Sequence, residues 1–279
     1  MSEPPPIREL LEREGLWANK GLGQHFLLDL NITRRIARAT GDLAGKPVLE
    51  IGPGPGGLTR ALLEAGADPL IAIEKDPRFL PLLEPLIEWS QGRLVLVRGD
   101  ALAADEAALL ETHGAFAAHI VANLPYNIGT PLLVKWLKAG PWRGPMTLMF
   151  QKEVAERIVA KPGDDAYGRL AVLTQARCAA NIALTVPARA FTPAPKIDSA
   201  VVTLTDLDAP YPHLDAIERV TAAAFGQRRK MLRSALKSLT PNAEDLLLKA
   251  GIEPTARAEE IDQAGFRRLA SSWIVASEP

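Results

Sequence analysis

The 279-residue sequence has a single cysteine, Cys178, and a net charge of only −1. One cysteine excludes an internal disulfide and any zinc site built from several cysteines, and it is typical of a reducing compartment. The near-zero charge excludes a protein that is basic over its whole surface, so contact with RNA or DNA requires a local basic patch. No apolar run approaches a membrane span, and the first residues lack a basic start followed by an apolar core. We therefore expect a cytoplasmic protein without signal peptide, membrane partner or metal.

Apolar segments of strand length alternate with helical patterns through the first two thirds of the chain. Such strands, separated by helices, are typical of a parallel sheet that is covered on both faces. Strands are predicted at residues 48–51, 69–74, 94–98, 119–122 and 146–150, and helices at 7–13, 31–39, 78–89, 130–138 and 152–159. Two further strands, 182–186 and 199–204, are expected to form a hairpin at the sheet edge.

A polar, proline-bearing segment at 205–215 separates this pattern from a purely helical one. Helices are predicted at 170–178 before this linker and at 216–225, 230–239, 243–250 and 265–276 after it. We therefore predict an α/β fold in two domains: a doubly wound, Rossmann-like domain over residues 1–205 and a small all-helical domain over residues 206–279.

A glycine cluster follows the first long strand, in the order Glu50, Gly52, Gly54, Gly56 and Gly57. Glycine permits the positive φ angles of a tight turn and lets a ligand approach the backbone, and the following helix supplies free N–H groups. The spacing Gly52-x-Gly54-x-x-Gly57 fits a dinucleotide fingerprint. The spacing Glu50-x-Gly52-x-Gly54-x-Gly56 fits the S-adenosylmethionine loop of methyltransferases. The glycines alone do not decide between the two ligands.

Two acidic residues end the next two strands, where ligands of open parallel sheets bind. Glu74 lies twenty residues after Gly54, a position from which a carboxylate accepts hydrogen bonds from both ribose hydroxyls. Asp100 is placed to accept a hydrogen bond from an adenine amino group, although a helix N-cap explains this residue equally well.

The segment Asn123-Leu124-Pro125-Tyr126 directly follows the fourth strand. An exocyclic adenine amine is a poor nucleophile because its lone pair is delocalised into the ring. The Asn123 side-chain oxygen and the Leu124 carbonyl can accept its two N–H groups, favour a pyramidal nitrogen and stabilise the positive charge that grows during methyl transfer. Pro125 stiffens the Leu124 carbonyl, and Tyr126 offers a flat face for an extruded base. A plain turn is the alternative, but the position after this strand favours catalysis.

The chain resembles the ribosomal RNA adenine N6,N6-dimethyltransferases, the kasugamycin-sensitivity family, over nearly its whole length. The motifs that carry the resemblance occur in order at residues 23–27, 50–59, 74, 99–100, 123–128, 151–154, 167–170, 191–202 and 225–230. The resemblance implies an S-adenosylmethionine-dependent methyltransferase that dimethylates two adjacent adenines near the 3′ end of small-subunit (16S) ribosomal RNA. It also implies a role in ribosome biogenesis and a partner in the pre-30S subunit. We expect a monomer.

The resemblance also implies the site residues. Cofactor contacts are expected from His25, Leu27, Gly52, Gly54, Glu74, Asp100, Ala101 and Asn123. The catalytic set is expected to be Asn123, Leu124, Pro125 and Tyr126, with Phe191 as a second aromatic beside the target base. Position 25 departs from the family pattern, which has asparagine there. An imidazole cannot reproduce the paired donor and acceptor of an amide, so a structural role for His25 is an alternative.

A cationic block lies in the C-terminal part of the chain, at Arg228, Arg229, Lys230, Arg233 and Lys237. On a continuous helix, Arg229, Arg233 and Lys237 would share a face. Charge runs are usually solvated surfaces, but a block without interleaved acid in a near-neutral protein favours contact with RNA phosphates.

Other functions explain less of the sequence. A nicotinamide-dependent dehydrogenase accounts for the glycine turn but not for the Asn123 segment or the cationic block. A cytosine C5-methyltransferase requires a cysteine nucleophile, usually after proline, whereas Cys178 follows Arg177. A large-subunit ribosomal RNA adenine methyltransferase shares the catalytic segment. A non-catalytic ribosome-assembly or RNA-binding factor on the same fold is a further alternative.

Overall fold

The computed structural model describes residues 3–16, 25–227 and 229–277. The chain divides into two compact units, Met1–Ala155 with Asn181–Thr205 and Glu156–Ala180 with Asp206–Pro279. The second unit includes residues 156–180 as well as 206–279, whereas the predicted boundaries assigned residues 156–180 to the first domain. Hydrogen bonds hold this segment in the helical unit, since the Tyr167 hydroxyl donates to the Ile261 carbonyl over 2.9 Å.

The strands are β1 (Phe26–Leu27), β2 (Val48–Ile51), β3 (Leu70–Glu74), β4 (Leu94–Arg98), β5 (Ala118–Asn123), β6 (Arg143–Gln151), β7 (Cys178–Val186), β8 (Phe191–Thr192) and β9 (Ser199–Asp206). The α-helices are α1 (Ile7–Arg13), α2 (Leu30–Ala39), α3 (Gly57–Glu64), α4 (Leu80–Ser90), α5 (Glu106–Thr112), α6 (Gly129–Leu137), α7 (Lys152–Val159), α8 (Arg169–Gln175), α9 (Leu214–Gly226), α10 (Leu232–Ala235), α11 (Ala243–Lys249) and α12 (Gln263–Ser277). Single 3-10 turns lie at Pro77–Phe79, Ala188–Ala190, Leu236–Ser238 and Ala258–Glu260.

The large sheet has the strand order β4-β3-β2-β5-β6-β9-β7. Strands β2 to β6 run parallel, and β9 is antiparallel to β6. The chain fills one side of β2 first and then crosses to β5 on its other side. The carboxyl ends of β2 and β5 therefore flank a topological switch point, the usual ligand position in such sheets.

The predicted core strands are confirmed by their burial. Every residue of β2 and β3 is buried, so the side chains on both faces of these strands are covered. A strand that is buried on both faces needs no polar alternation, which explains its continuous apolar sequence. Each fully buried leucine, isoleucine or valine contributes about 1.5–3 kcal/mol relative to exposure, so these strands form a rigid base for the loops at their ends.

The edge of the sheet confirms one prediction and corrects another. Strands β9 and β7 are neighbours at the edge, as expected of the last two strands. The predicted helix at 170–178 is wrong at its end, because α8 stops at Gln175 and Cys178 is the first residue of β7. Cys178 is buried, and its thiol lies 3.3 Å from an Asp206 carboxylate oxygen.

A two-stranded antiparallel sheet joins distant parts of the chain. In this sheet Phe26 pairs with Thr192 and Leu27 pairs with Phe191. Strand β1 also packs with α1 and Phe79 in a small apolar cluster, in which the Phe26 and Phe79 rings meet edge to face with centroids 5.4 Å apart. The pairing brings the residues around position 26 and the Phe191 segment together.

The glycine turn between β2 and α3 has the predicted conformation. Gly52 has φ 68° and Gly56 has φ 89°, angles that favour glycine. Gly57 is required for a different reason: a Cβ atom there would lie 2.6 Å from the Leu27 carbonyl oxygen. The start of α3 thus lies directly against β1.

Replacing Gly57 with alanine is expected to lower the free energy of unfolding by about 1–3 kcal/mol, because β1 or α3 must shift to relieve the clash. Chemical denaturation measures this change. Gly168→Ala is the matched control, since Gly168 has φ −175° and a Cβ there would meet nothing within 4 Å. Equal stability of the two variants would contradict the predicted clash.

The helical unit has an aromatic centre. Phe225 of α9 lies between Tyr167 and Phe266, with ring centroids 6.0 and 5.6 Å away. Burial of Tyr167 raises the pKa of its phenol, which remains neutral and donates to the Ile261 carbonyl. The buried tyrosine hydroxyl is thereby satisfied, as expected for a polar group in a core.

The predicted continuous helix at 230–239 is wrong. Helix α10 begins only at Leu232 and gives way to a 3-10 turn at Leu236. Met231 is extended, with φ −60° and ψ 147°, and forms an isolated antiparallel bridge with Arg257. This backbone pairing prevents Lys230 and Met231 from joining the helix, so no single helical face carries the cationic block.

Candidate active site

A cavity lies in the first unit at the carboxyl ends of β2, β3 and β5. Its lining is composed of glycine-turn residues, two buried carboxyls, the segment after β5 and aromatic side chains from both strands of the small sheet. The lining residues are His25, Phe26, Leu27, Glu50, Gly52, Pro53, Gly54, Pro55, Gly57, Leu58, Glu74, Phe79, Asn123, Leu124, Pro125, Tyr126 and Phe191. A concave, mainly apolar pocket with a few converging polar groups is typical of a small-molecule site.

The structure brings most of the predicted site residues into this one cavity. The predicted residues that line it are His25, Leu27, Gly52, Gly54, Glu74, Asn123, Leu124, Pro125, Tyr126 and Phe191. Asp100 and Ala101 lie beyond the end of β4 and do not line it. Of the first motif, Gly23 and Gln24 fall outside the described residues.

Glu74 fastens the glycine turn to the end of β3. One carboxylate oxygen accepts a hydrogen bond from the Gly54 N–H over 3.0 Å, and the other accepts from the Asp76 N–H over 2.8 Å. Burial raises the pKa of this carboxyl, and the backbone hydrogen bonds oppose the shift. Each carboxylate oxygen retains a second lone pair, which is available to a hydroxyl donor.

Glu50 is a second carboxyl in the cavity, which the prediction treated only as part of the glycine motif. It is 1% exposed, and its Oε2 atom has no hydrogen-bond partner among the described residues. Burial raises the pKa of Glu50 to about 8, the nearby Thr59 hydroxyl opposes the shift, and the neighbouring Glu74 adds to it. The sequence signal that could have identified Glu50 as a cavity residue is its position as the first residue of the glycine motif.

The charge of the cavity bears on the kind of ligand that it binds. Glu50 and Glu74 line the cavity, and the described lining contains no lysine or arginine. The second carboxyl, Glu50, without a neighbouring lysine or arginine favours a ligand that carries positive charge. S-adenosylmethionine has such charges on its sulfonium and its α-ammonium group.

Asn123 and Leu124 present free acceptors at the end of β5. The Asn123 side chain lines the cavity and makes no hydrogen bond to a described residue. The Leu124 carbonyl likewise accepts no hydrogen bond from a described residue, since the Ile128 and Gly129 N–H groups donate to the Pro125 carbonyl instead. Two unused acceptors beside one another match the two N–H groups of an amine.

Aromatic groups form another wall of the cavity. The Tyr126 hydroxyl lies 2.9 Å from Ser199 Oγ, which fixes the ring, and burial raises the pKa of its phenol. The His25 ring lies 5.6 Å from the Tyr126 ring, and its Nδ1 donates to the Pro193 carbonyl over 2.8 Å. His25 therefore makes a structural hydrogen bond to Pro193 and also lines the cavity. Ser199 and Pro193 were not predicted as site residues, because each affects the cavity only through a hydrogen bond, to Tyr126 and to His25 respectively.

An ion-pair network holds the loop that follows Asp100. The Lys135 ammonium donates to the Ala101 and Ala104 carbonyls and to the buried Glu106 carboxylate, each over 2.7 Å. Asp100 pairs with Lys75 over 2.7 Å, and this ammonium group lowers the pKa of the carboxyl. Asp100 also accepts a hydrogen bond from the Leu102 N–H. The bonds to Lys75 and Leu102 therefore occupy part of the acceptor sites that were predicted to bind an adenine amino group.

The cationic block belongs to the helical unit. Its described members, Arg229, Lys230, Arg233 and Lys237, are all exposed. Arg233 lies 3.8 Å from the exposed Glu244 carboxylate. Arg228 falls outside the described residues. These four described residues are hereafter called the basic segment.

The described ranges were also considered for metal ligands and membrane-spanning helices, and they hold neither. No group of three or more histidine, cysteine, aspartate or glutamate side chains there is arranged to hold a metal ion. No described helix is both long enough and apolar enough to cross a membrane.

The sequence pattern of the ribosomal RNA adenine dimethylases matches the chain over residues 15–274. The chain belongs to this family. The match covers the glycine turn, the Asn123 segment and most of the helices of the second unit.

Individual dimethylases and related enzymes show the same relationship. The chain is 60% identical over 277 residues to the ribosomal RNA small subunit methyltransferase A of Phenylobacterium zucineum, covering 98% of this chain and 94% of that protein. A dimethyladenosine transferase from Plasmodium falciparum superposes with a TM-score of 0.73 at 26% identity, over 88% of this chain and 96% of that one. The 23S rRNA methyltransferase ErmE superposes with a TM-score of 0.66 at 27% identity, over 89% and 99% of the two chains.

Proposed function

We propose that this dimethylase transfers methyl groups from S-adenosylmethionine to the N6 atoms of two adjacent adenines near the 3′ end of small-subunit ribosomal RNA. Each adenine receives two methyl groups, four in total, during small-subunit biogenesis. The observation that carries the proposal is the pair of unused acceptors, Asn123 and Leu124, in the same cavity as the glycine turn and two carboxyls.

The residues present fit the cofactor. The glycine turn admits close approach of a ligand, Glu74 retains acceptor capacity for ribose hydroxyls, and the unpartnered Glu50 oxygen suits a positive charge. His25 and Leu27 line the same cavity, and we propose cofactor contacts from them and from Asp100 and Ala101, which follow β4. When bound, the cofactor supplies an electrophilic methyl group on a sulfonium sulfur.

The residues after β5 prepare the amine. Asn123 Oδ1 and the Leu124 carbonyl accept its two N–H groups, so the nitrogen becomes pyramidal and its lone pair points toward the methyl donor. The same oxygens stabilise the positive charge that develops on N6. No dedicated base is required, because the resulting ammonium is strongly acidic and loses its proton to solvent.

The aromatic wall binds the flipped base. Tyr126, fixed through Ser199, and Phe191, fixed in the small sheet, provide flat apolar faces against which an extruded purine stacks. Base–aromatic stacking contributes about 1–3 kcal/mol per base, which offsets the cost of removing the adenine from its neighbours.

Product analysis tests the proposal. Purified protein with labelled S-adenosylmethionine and undermethylated small subunits should form N6,N6-dimethyladenosine at two adjacent positions, detected by nucleoside mass spectrometry and primer extension. Parallel reactions with naked small-subunit RNA and with large subunits define the substrate. Monomethyladenosine alone, or label in large-subunit RNA, would contradict the proposed reaction.

The alternatives have less support. The 60% identity to a small-subunit enzyme, against 27% to a 23S enzyme, favours small-subunit RNA. A non-catalytic assembly factor would not require the free acceptors at Asn123 and Leu124. We further expect the protein to act as a monomer on a partly assembled small subunit.

The basic segment is proposed to contact RNA phosphates. Replacing both Arg229 and Arg233 with alanine should weaken RNA binding and reduce the slope of log affinity against log salt by about 1.4–1.8, which corresponds to two phosphate contacts. Fluorescence anisotropy at several salt concentrations measures the slope.

A double variant of Lys249→Ala with Arg13→Ala is the matched control, because it removes two exposed cations that already pair with Asp245 and Glu14. Its slope should remain near that of the unchanged protein. An unaltered slope in the Arg229 and Arg233 variant would remove the basic segment from the RNA-binding surface.

A further inference from the structure

We propose that Lys135 is a positioning residue, which fixes the turn after β4 to α6 and thereby sets the affinity of the protein for the adenine of its cofactor. The inference deepens the proposed function and rests on it, since it takes Asp100 and Ala101, at the start of this turn, as the groups that meet the adenine. Lys135 lies in α6 and acts only through the turn.

Two sets of hydrogen bonds shape the turn after β4. The Asp100 carbonyl accepts from the N–H groups of Ala103 and Ala104, each over 2.9 Å. The carbonyls of Ala101 and Ala104 both accept from the Lys135 ammonium, each over 2.7 Å. One ammonium group thus holds both ends of the turn and attaches them to α6.

The third hydrogen bond of Lys135 anchors the ammonium itself. It goes to the carboxylate of Glu106 over 2.7 Å, and Glu106, the first residue of α5, is only 3% exposed. The same carboxylate oxygen accepts from the indole N–H of Trp136 over 3.1 Å. Three acceptors use all three N–H groups of the ammonium, so its position has little freedom. A buried ion pair adds little stability compared with apolar packing, and its main consequence here is a fixed distance between the turn and α6.

Helix α6 also supports the other half of the site. It begins at Gly129, whose N–H donates to the Pro125 carbonyl over 3.1 Å, directly after the segment with the two free acceptors. Lys135 therefore connects the turn that meets the cofactor's adenine with the helix that follows the acceptors for the target adenine. Loss of the ammonium should loosen the turn and leave α6 in place, because the helix keeps its backbone hydrogen bonds and the fully buried Trp136.

Removal of the ammonium is expected to weaken binding of the cofactor rather than slow methyl transfer. Lys135→Met keeps the length of the side chain and removes all three hydrogen bonds. The affinity for S-adenosylhomocysteine should fall about tenfold, because the turn no longer holds its groups toward the adenine. The single-turnover rate at saturating S-adenosylmethionine should stay within about threefold of the wild-type rate. Lys46→Met is the matched control, since Lys46 pairs with Asp42 on the surface and precedes β2, at the opposite end of the sheet.

A purine analogue tests the link between Lys135 and the adenine. S-inosylhomocysteine differs from S-adenosylhomocysteine only in the purine, where a carbonyl replaces the exocyclic amine and N1 carries a hydrogen. The wild type should bind it at least about tenfold more weakly, because the Asp100 carboxylate then faces a carbonyl instead of a donor. Lys135→Met should discriminate between the two ligands by less than about threefold. Calorimetric titration gives the four affinities, and their ratio measures the coupling between Lys135 and the amine.

A second variant separates positioning from a general effect on folding. Lys135→Met leaves the buried Glu106 carboxylate without its counter-charge, which by itself destabilises the domain. The double variant Lys135→Met with Glu106→Gln removes both charges, and the introduced amide oxygen still accepts from Trp136. Its unfolding temperature should recover toward the wild-type value, whereas its affinity for S-adenosylhomocysteine should remain about tenfold low. Recovery of affinity together with stability would overturn the positioning role. If the single variant does not fold, the double variant serves for both comparisons.

The remaining outcomes distinguish this inference from the proposed function. Equal affinity and equal discrimination in the wild type and the Lys135 variants would overturn the inference and leave the proposed function intact, because the binding heat itself reports the cofactor. Equal binding of both ligands to the wild type would also overturn it, since the turn then does not recognise the amine. A wild-type protein that binds neither S-adenosylhomocysteine nor S-adenosylmethionine would contradict the proposed function as well.

Discussion

Replacing Asn123 with alanine should lower the rate of methyl transfer by about a hundredfold or more, even at saturating S-adenosylmethionine. The variant removes one of two acceptors for the adenine amine and leaves β5 unchanged as a strand, because the Asn123 side chain makes no hydrogen bond to a described residue. The amine would lose its alignment and a part of the stabilisation of its developing charge. Single-turnover measurements with undermethylated small subunits isolate this step from RNA release.

Two further variants make the interpretation specific. Asn127→Ala removes an identical side chain four residues further on, where it is exposed and does not line the cavity, and should leave the rate within about threefold. Asn123→Asp keeps an acceptor oxygen and should lose less activity than Asn123→Ala. A rate for Asn123→Ala close to that of Asn127→Ala would contradict the proposed role of the amide.

Replacing Glu74 with glutamine should weaken S-adenosylmethionine binding by about 10- to 100-fold. Both carboxylate oxygens accept from backbone N–H groups, one from Gly54 and the other from Asp76. An amide has only one oxygen, so its NH2 group must face one of these donors and leave it without an acceptor. The proposed hydrogen bond from a ribose hydroxyl would be lost with it, and a hydrogen bond lost in the bound state costs about 1–3 kcal/mol, which covers the stated range of affinity.

Calorimetric titration with S-adenosylmethionine measures this loss. Glu84→Gln makes the same chemical change on the exposed face of α4 and should leave the affinity unchanged. Thermal unfolding of both variants shows whether the turn alone or the whole domain has been altered. Equal affinities of Glu74→Gln and Glu84→Gln would contradict the role of Glu74 in holding the glycine turn.

The parallel strands and the glycine turn could be predicted because their signals are local. Val48, Leu49 and Ile51 form part of an apolar run. The glycines that follow are unfavourable inside helices and strands and permit positive φ angles, so they indicate a turn. The parallel order of the strands then places the ends of β2, β3 and β5 at one edge, which explains why Glu74 and Asn123 share a cavity although 48 residues separate them.

Other parts depend on contacts between distant residues that periodicity does not report. The pairing of Leu27 with Phe191 joins two-residue strands that are too short to leave a pattern. The helical pattern at 230–239 fits the side chains, but the bridge between Met231 and Arg257 determines where α10 begins. The burial of Glu50 arises only in the assembled cavity, so the sequence shows no more than a glutamate in a glycine motif.

The most direct test of the account is a crystal structure of the protein with S-adenosylhomocysteine and adenosine monophosphate bound in the cavity. The account predicts that the adenine N6 atom lies within about 3.2 Å of both Asn123 Oδ1 and the Leu124 carbonyl oxygen, with the ring against Tyr126. An adenine whose N6 atom points away from these two oxygens, or a glycine turn that leaves the adenosylhomocysteine unbound, would contradict it.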